Sequence, residues 1–213
     1  MRFPGNEIHY SDLAVYRQCP AKFFFMMADR HKGKRAPVML LGTLFHRAVE
    51  LRLRHGRGYF SEMWTPDFWL DMFDSIRMER PDEDYDCTDS DISQWAYKFC
   101  AKDLFGGKTL GELVNETASY VETLYDVVGS ELKMRYRDVY GVHVGTIDLL
   151  LRNSYTGALT VADIKTSGMW NKLLYGKSYA KQSASMEQIA HHPQMRHYHW
   201  LGWRSGKISG DVT

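Results

Sequence analysis

Two acids and a lysine stand at the ends of apolar runs in the C-terminal half of the chain. Asp163 and Lys165 follow the run "LTVA" with Ile164 between them, and Asp148 interrupts the run "GTIDLLL". Because successive side chains of a strand point to opposite faces, Asp163 and Lys165 share a face, and an adjacent antiparallel strand brings Asp148 beside Asp163. Two close carboxylates repel unless a cation neutralises them. The pattern predicts a Mg²⁺ or Mn²⁺ site, and an Asp163–Lys165 ion pair on a strand surface is the simpler alternative.

Two further residue types would complete such a site. His46 lies in "MLLGTLFHRAVELRLRHG", whose apolar spacing predicts a helix that ends at Gly56, and an imidazole ligand shifts the metal preference toward Mn²⁺. Glu50, one turn beyond His46, is a candidate to bind a second metal or to orient His46, but a helix-surface carboxylate is its default interpretation. Glu131 heads the first strand-like run and is another candidate acid. Lys165, held next to a metal, would orient or help to deprotonate an attacking water.

Three strand-like runs must position these residues. The runs are "ELKMRYRDVY", "VHVGTIDLLLR" and "ALTVADIKT", and the spacers "GV" and "NSYTG" have hairpin length. Before them, "LGELVNETASYVETLYDVVG" predicts an amphipathic helix that ends at Gly129. After them, Pro193 suits the first turn of a final helix in which Gln194 and Tyr198 share a face.

Helices are expected elsewhere in the chain. The N-terminal segments "DLAVYRQC" and "AKFFFMMADR" predict two short helices separated by Pro20. Residues from about 57 to 128 are expected to form a helical insertion. Within it, the acidic run "RPDEDYDCTDSD" is interpreted as a solvated loop.

Charge is distributed unevenly along the chain. Residues 1–60 hold 11 Lys/Arg against 4 Asp/Glu, whereas residues 61–100 hold 3 against 11. This asymmetry fits a basic face that binds a polyanion, with an acidic surface on the opposite side. The alternative is two solvated helical surfaces of opposite charge. The run "RHKGKR", from Arg30 to Arg35, is interpreted as a basic loop.

Composition excludes several classes of protein. The chain has 213 residues, 44% of them hydrophobic, and contains neither an apolar run of about 20 residues nor the apolar core of a secretory signal. Its three cysteines, Cys19, Cys87 and Cys100, are scattered, which favours reduced thiols over a disulfide framework. We therefore expect a cytoplasmic protein without membrane association.

The histidines of "HHPQMRHYH" lack the regular spacing of a zinc helix.

Four motifs occur in a fixed order: "GTLFH", "GTIDLL", "ADIKT" and "QMRHY". This order resembles the PD-(D/E)XK nuclease superfamily, and within it the branch of the RecB nuclease domain, the CRISPR adaptation nucleases and the phage or RecE-like exonucleases. The segment "SDLAVYRQCPAKFFF" is similar to the Tyr-x-x-Cys-Pro segment of that branch. The resemblance covers nearly the whole chain except about residues 55–128. It implies one domain with an α/β restriction-endonuclease-like core, a mixed sheet flanked by helices, and a helical insertion at about 57–128.

The resemblance also implies roles for individual residues. His46, Asp148, Asp163 and the backbone carbonyl of Ile164 would ligate the metal, and Lys165 would be the catalytic lysine. Gln194 and Tyr198 match the Gln-x-x-x-Tyr helix motif of the branch, which lies beside the site and contacts the nucleic-acid strand or the lysine. The candidates for DNA contact are Tyr16, Arg17, Lys32, Lys34 and Arg35, with packing as the alternative for Tyr16.

The implied function is a Mg²⁺- or Mn²⁺-dependent deoxyribonuclease. The preferred interpretation is an exonuclease that acts at DNA ends in phage or bacterial recombination or repair. An endonuclease or nickase of a defence system, and a catalytically idle DNA-binding subunit, are the alternatives. Polarity, strand preference and oligomeric state stay open, with a homo-oligomer or a recombination partner protein as options.

Three departures from the family pattern matter. Members with an iron–sulfur cluster use one early and three late cysteines, and no cysteine follows Cys100 here, so no cluster is expected. Asp163 stands where many relatives have Glu, which shortens the reach of the carboxylate and keeps its charge. The segment "KISGDVT" is expected to begin a strand that the chain does not complete.

Overall fold

The second strand-like run forms the centre of a four-stranded mixed sheet. The computed structural model describes residues 7–28, 34–56, 63–166, 168–175 and 192–208. The strands are β1 (Glu7–Ile8), β2 (Tyr125–Arg137), β3 (Val142–Asn153) and β4 (Leu159–Ala162). β2 pairs with one edge of β3 in antiparallel register over its whole length. On the other edge, β1 pairs in parallel with the beginning of β3, and β4 pairs in antiparallel register with its end.

The chain divides into two units, which we call the sheet unit and the helical unit. The sheet unit comprises Met1–His31, Tyr125–Asp163 and Ser183–Thr213. The helical unit comprises Lys32–Leu124 and Ile164–Gln182. The chain passes from the sheet unit to the helical unit at the peptide bond between Asp163 and Ile164.

In the described part of the sheet unit, three helices accompany the sheet: α1 (Tyr10–Gln18), α2 (Pro20–Ala28) and α8 (Pro193–Arg204). Helix α8 packs on β2, β3 and β4. Gly145 of β3 permits this approach, because a Cβ atom there would lie 3.1 Å from Cδ2 of Leu201. The buried core beneath α8 consists of Met134, Ile147, Leu150, Val161, Leu201 and Ile208.

The helical unit contains α3 (Pro37–His55), α4 (Pro66–Glu79), α5 (Asp89–Phe99), α6 (Leu110–Leu124) and α7 (Asn171–Tyr175). Gly56, with φ of 77°, follows the last residue of α3 as the sequence predicts. The helix begins at Pro37, two residues before the predicted run. Its apolar stripe packs into a core that includes Leu40, Leu44, Trp69, Phe73, Phe99 and Trp170. None of the helices in the described residues is both long and apolar enough to cross a bilayer.

The structure corrects two predicted boundaries. The helix expected to continue to Gly129 ends at Leu124, and Tyr125, Asp126 and Val127 instead pair with the end of β3. Aromatic and β-branched residues favour a strand, and pairing with β3 outweighs the helical periodicity there. The third strand ends at Ala162 rather than at Thr166, so Asp163 and Lys165 follow the strand instead of lying within it.

Some expectations fall partly outside the described residues. Three helices, α4, α5 and α6, lie between Pro66 and Leu124 in the region where a helical insertion is predicted, and residues 57–62 lie outside the described part. In the acidic run, which is predicted to be a solvated loop, Tyr85 is buried and only 5% exposed. Ile208 is buried against α8, and residues 209–213, where a strand was expected to continue, are also outside the described part.

Candidate metal centre

Asp148 and Asp163 meet at the end of the β3–β4 ladder. The last pair of this ladder joins Leu149 to Ala162, so the next residues along the two chains, Asp148 and Asp163, come opposite each other. Both side chains are half-buried. The register of the ladder is the one that the period-two prediction requires for these two acids, although Asp163 lies one residue beyond the strand.

Glu131 approaches Asp148 from the other edge of β3. Its neighbours Ser130 and Leu132 pair with Leu149 and Ile147, the two neighbours of Asp148. One carboxylate oxygen of Glu131 lies within 4.8 Å of one of Asp148. Glu131 has φ of 48°, and it is the only residue other than glycine with positive φ in the described part of the chain. Such a conformation is uncommon for a residue with a side chain.

Helix α8 supplies the polar contacts of the acidic group. Nε2 of Gln194 donates to Oδ1 of Asp163 at 3.2 Å and to the hydroxyl oxygen of Tyr198 at 2.8 Å. The shared face predicted for Gln194 and Tyr198 is therefore observed, and this face points to Asp163. The amide fixes one oxygen of Asp163, because a donated hydrogen bond constrains the rotation of the carboxylate.

Three carboxylates influence the pKa of the Tyr198 phenol. Burial raises the pKa of the Tyr198 phenol most, the hydrogen bond from Gln194 opposes this, and the negative charges of Asp163, Asp148 and Glu131 raise the pKa further. The phenol consequently stays protonated at neutral pH. Three carboxylates that affect one hydroxyl form a concentrated negative site, which favours a bound divalent cation over mutual repulsion. The oxygen donors fit Mg²⁺ or Mn²⁺.

The residues that follow Asp163 belong to the helical unit. The side chain of Ile164 packs on the core of that unit, and Lys165 is exposed. Thr166 lies against α3, because a Cβ atom at Gly42 would come 3.3 Å from its Oγ1. His46 is half-buried one helical turn after Gly42. Within this unit, the "IKT" segment and the predicted histidine ligand are thus associated with the same helix.

The remaining candidates have clear surroundings. Tyr16 packs edge-on against Phe23 and Phe24, with ring centroids 5.5 and 6.3 Å away. Glu50 is 3% exposed, and its oxygens accept hydrogen bonds from Arg47 at 2.9 Å and Arg54 at 2.6 Å. These contacts favour a structural role for both residues rather than DNA contact or metal ligation.

The predicted basic loop is only partly described. Lys32 lies outside the described residues. Arg35 forms an ion pair with Glu83 at 2.9 Å, and Lys34 lies 4.0 Å from Asp84. Backbone hydrogen bonds from Arg35 to Asp84 and from Asp86 to Arg35 also tie this segment to the acidic run. The acidic run therefore neutralises part of the basic charge.

A family model describes residues 8–210 as a PD-(D/E)XK nuclease. The chain belongs to the PD-(D/E)XK nuclease superfamily. This confirms the resemblance at the level of the superfamily, together with the restriction-endonuclease-like α/β fold, a mixed sheet flanked by helices. Membership supports a metal-dependent nuclease with DNA as substrate. The chain has no significant match among curated proteins or solved structures.

The sequence did not indicate two features of this superfamily member. Glu131 could be singled out as an acid at a strand start, but its left-handed backbone has no signal in a glutamate. The second is the aromatic and histidine cluster on the side of α8 that adjoins Gln194 and Tyr198. Trp200 lies edge-on to His143 and Tyr136 there, with centroids 5.0 and 5.7 Å away. The spacing of the histidine run raises the question of a zinc site, but it does not indicate that these histidines pack around a tryptophan.

Proposed function

We propose that this protein is a Mg²⁺- or Mn²⁺-dependent DNA exonuclease whose metal is held by Asp148, Asp163, the carbonyl of Ile164 and His46. The observation that carries the proposal is the grouping of carboxylates at the end of the β3–β4 ladder. Glu131 lies beside Asp148, the ladder register brings Asp163 opposite Asp148, and Gln194 donates to both Asp163 and Tyr198. Oxygen donors of this kind suit a hard divalent cation. When bound, the metal supplies charge neutralisation and polarisation at a phosphoryl group.

The side chains of the protein divide the remaining work. Gln194 donates to Oδ1 of Asp163 and so restrains the orientation of the carboxylate that is proposed to bind the cation. Tyr198, kept neutral by its raised pKa, adds no negative charge where the phosphate must approach. We assign Lys165, two residues after Asp163, to orient the attacking water and to stabilise charge on a phosphoryl oxygen. Glu131 is placed to assist Asp148, because their carboxylate oxygens lie within 4.8 Å of each other.

The choice of exonuclease rests on the motif order and the Tyr-x-x-Cys-Pro segment, which resemble a branch rich in enzymes that act at DNA ends. Action in phage or bacterial recombination or repair follows from the same resemblance. The three free cysteines favour a reducing compartment, and we therefore propose the cytoplasm. An oligomer or a recombination partner protein stays a prediction.

Substitution of the two central acids tests the metal centre. We expect Asp148→Asn and Asp163→Asn each to lower the cleavage rate by about 10³-fold or more, because the metal contributes several kcal/mol of charge stabilisation. The assay follows end-labelled linear DNA and closed circular DNA with Mg²⁺ or Mn²⁺. In metal-free buffer, both variants should melt at or above the temperature of the wild type, because the substitution removes one of three repelling charges. Mn²⁺ should raise the melting temperature of the wild type but not that of Asp148→Asn or Asp163→Asn.

Asp126→Asn is the matched control, because Asp126 is an exposed acid on β2 of the same unit. It should keep both cleavage and the Mn²⁺-dependent rise in melting temperature. Lys165→Ala should lose turnover but keep that rise, because it removes no metal ligand. Near-normal cleavage by either central Asn variant would refute the centre as assigned. Degradation of closed circular DNA at the rate of linear DNA would replace the exonuclease by an endonuclease.

A further inference from the structure

The sheet unit contains a cleft between α1 and α8 that the proposed chemistry does not use. Its volume is about 280 Å³. Tyr10, Leu13 and Arg17 line the α1 side. Pro193, Arg196, His197 and Trp200 line the α8 side. A cleft of this size lies near the lower end of ligand sites and has room for roughly one nucleotide.

The lining combines cationic and aromatic groups. Arg17 and Arg196 are both exposed, and they come from different helices. Trp200 is 37% exposed, while its contacts with His143 and Tyr136 hold the indole in place. None of the described residues that line the cleft carries a carboxylate. Guanidinium groups match phosphate oxygens, and an indole stacks on a nucleobase, so this lining suits a nucleotide.

His197 contributes a partly buried imidazole to the lining of the cleft. Its ring centroid lies 5.9 Å from that of Tyr10 and 5.7 Å from that of Trp200. Burial, with the nearby His143 and Arg17, lowers the pKa of His197 to about 4, so the imidazole is uncharged at neutral pH. Its Nε2 is buried and has no hydrogen-bond partner within the described residues. The cleft lining therefore combines a neutral imidazole and aromatic rings with two cationic side chains.

The position of the cleft on α8 relates it to the metal centre. Residues 193, 196, 197 and 200 form one stripe of the helix, and Gln194 and Tyr198, which contact the acidic group, lie on the adjoining stripe. The cleft and the acidic group therefore lie at neighbouring faces of α8.

We propose that the cleft binds one nucleotide of the DNA strand next to the scissile phosphate, with its base on Trp200 and its phosphate between Arg17 and Arg196. This assignment rests on the proposed nuclease function, because it takes DNA as the ligand. It names residues that position the strand and take no part in the chemistry.

The test measures binding of a fluorescent single-stranded oligonucleotide in Ca²⁺, by anisotropy at several salt concentrations, with gels to verify that the DNA stays intact. Arg17→Gln and Arg196→Gln should each flatten the slope of log affinity against log salt by about 0.7, the value for one phosphate of a single strand. Trp200→Leu should weaken binding about fivefold or more, the lower end for loss of one stacked base, and Trp200→Phe should retain more affinity. The matched control is Arg152→Gln, an exposed arginine of β3 outside the cleft, which should leave the slope unchanged.

Two results would overturn the proposal. Either the cleft variants bind like the wild type, or Arg152→Gln flattens the slope as much as Arg196→Gln does. Binding of dAMP that these variants weaken, without any effect on the oligonucleotide, would make the cleft a mononucleotide site and would also overturn it.

A separate cleavage assay distinguishes this proposal from the nuclease itself. Absence of cleavage with every metal, together with cleft-dependent DNA binding, would refute the nuclease and support the cleft. Cleavage with DNA binding that is independent of the cleft would do the reverse.

Discussion

At the scale of single residues, the sequence predicted the acids better than their surroundings. Asp148 and Asp163 follow from strand periodicity, and Gln194 and Tyr198 follow from helical spacing, because both patterns are local. The packing of His197 against Tyr10 and Trp200 could not be predicted, since it joins helices that are far apart in the sequence. Which histidine of "HHPQMRHYH" becomes buried depends on that packing.

The burial of His197 predicts a pH dependence of stability. Its pKa falls from 6.5 to about 4 on folding, so between these values the unfolded chain binds more protons than the folded protein. The free energy of unfolding should therefore fall as the pH is lowered from about 6.5 to 4. His197→Phe keeps an aromatic ring and should lose less stability over this range than the wild type does. Urea unfolding at pH 7.5 and pH 5 measures the difference.

His199→Gln is the control for this experiment, because His199 is exposed on the same helix. It should retain the pH dependence of the wild type. An unchanged pH dependence in His197→Phe would show that other groups determine the acid sensitivity, such as Asp138, where burial acts to raise the pKa but hydrogen bonds lower it overall.

At the scale of elements, α3 was predicted from its apolar spacing and its stop at Gly56, but the burial of its charged residues was not. Arg52 is 1% exposed and forms an ion pair with Glu122 of α6 at 2.9 Å and a hydrogen bond with Asn115 at 3.2 Å. Arginine is seldom fully buried, so sequence patterns assign it to the surface. Its partners lie more than 60 residues away, and only the packing of α3 on α6 brings them together.

The Arg52–Glu122 ion pair predicts that loss of one charge on α6 lowers the stability of the helical unit. We expect Glu122→Ala to lower the free energy of unfolding by about 3 kcal/mol, because it leaves a buried guanidinium without its carboxylate. Glu116→Ala on the same helix breaks an exposed pair with Lys108 and should cost about 1 kcal/mol or less. Urea unfolding of both variants provides the comparison. Equal losses would mean that Arg52 is compensated by other groups.

At the scale of the whole molecule, the uneven charge along the sequence is partly neutralised in the fold. Residues of the basic N-terminal region pair with residues of the acidic region, as in Arg35 with Glu83 and Arg47 with Glu79. A count of charges along the chain cannot reveal this, because it does not specify which segments pack together. The superfamily and its fold were nevertheless recognisable, because four short motifs keep their order across the chain.

The internal pairing predicts a weak role for the described part of the basic loop in DNA binding. Replacing Lys34 and Arg35 together by Gln should change the slope of log affinity against log salt by less than 0.7, the contribution of one phosphate of a single strand. Glu83 and Asp84 already compensate the two cations. The same anisotropy titration measures this slope. A reduction near 1.4 would instead show that both side chains contact phosphates.

The backbone of Glu131 has a consequence for engineering this protein. Its φ of 48° suits glycine or asparagine better than glutamate, so a library selected for thermostability alone would be enriched in replacements at this position. Each replacement without an acid would remove the carboxylate that lies beside Asp148. Stability and chemistry thus favour different residues at position 131, and selections for heat resistance need an activity screen to retain the glutamate.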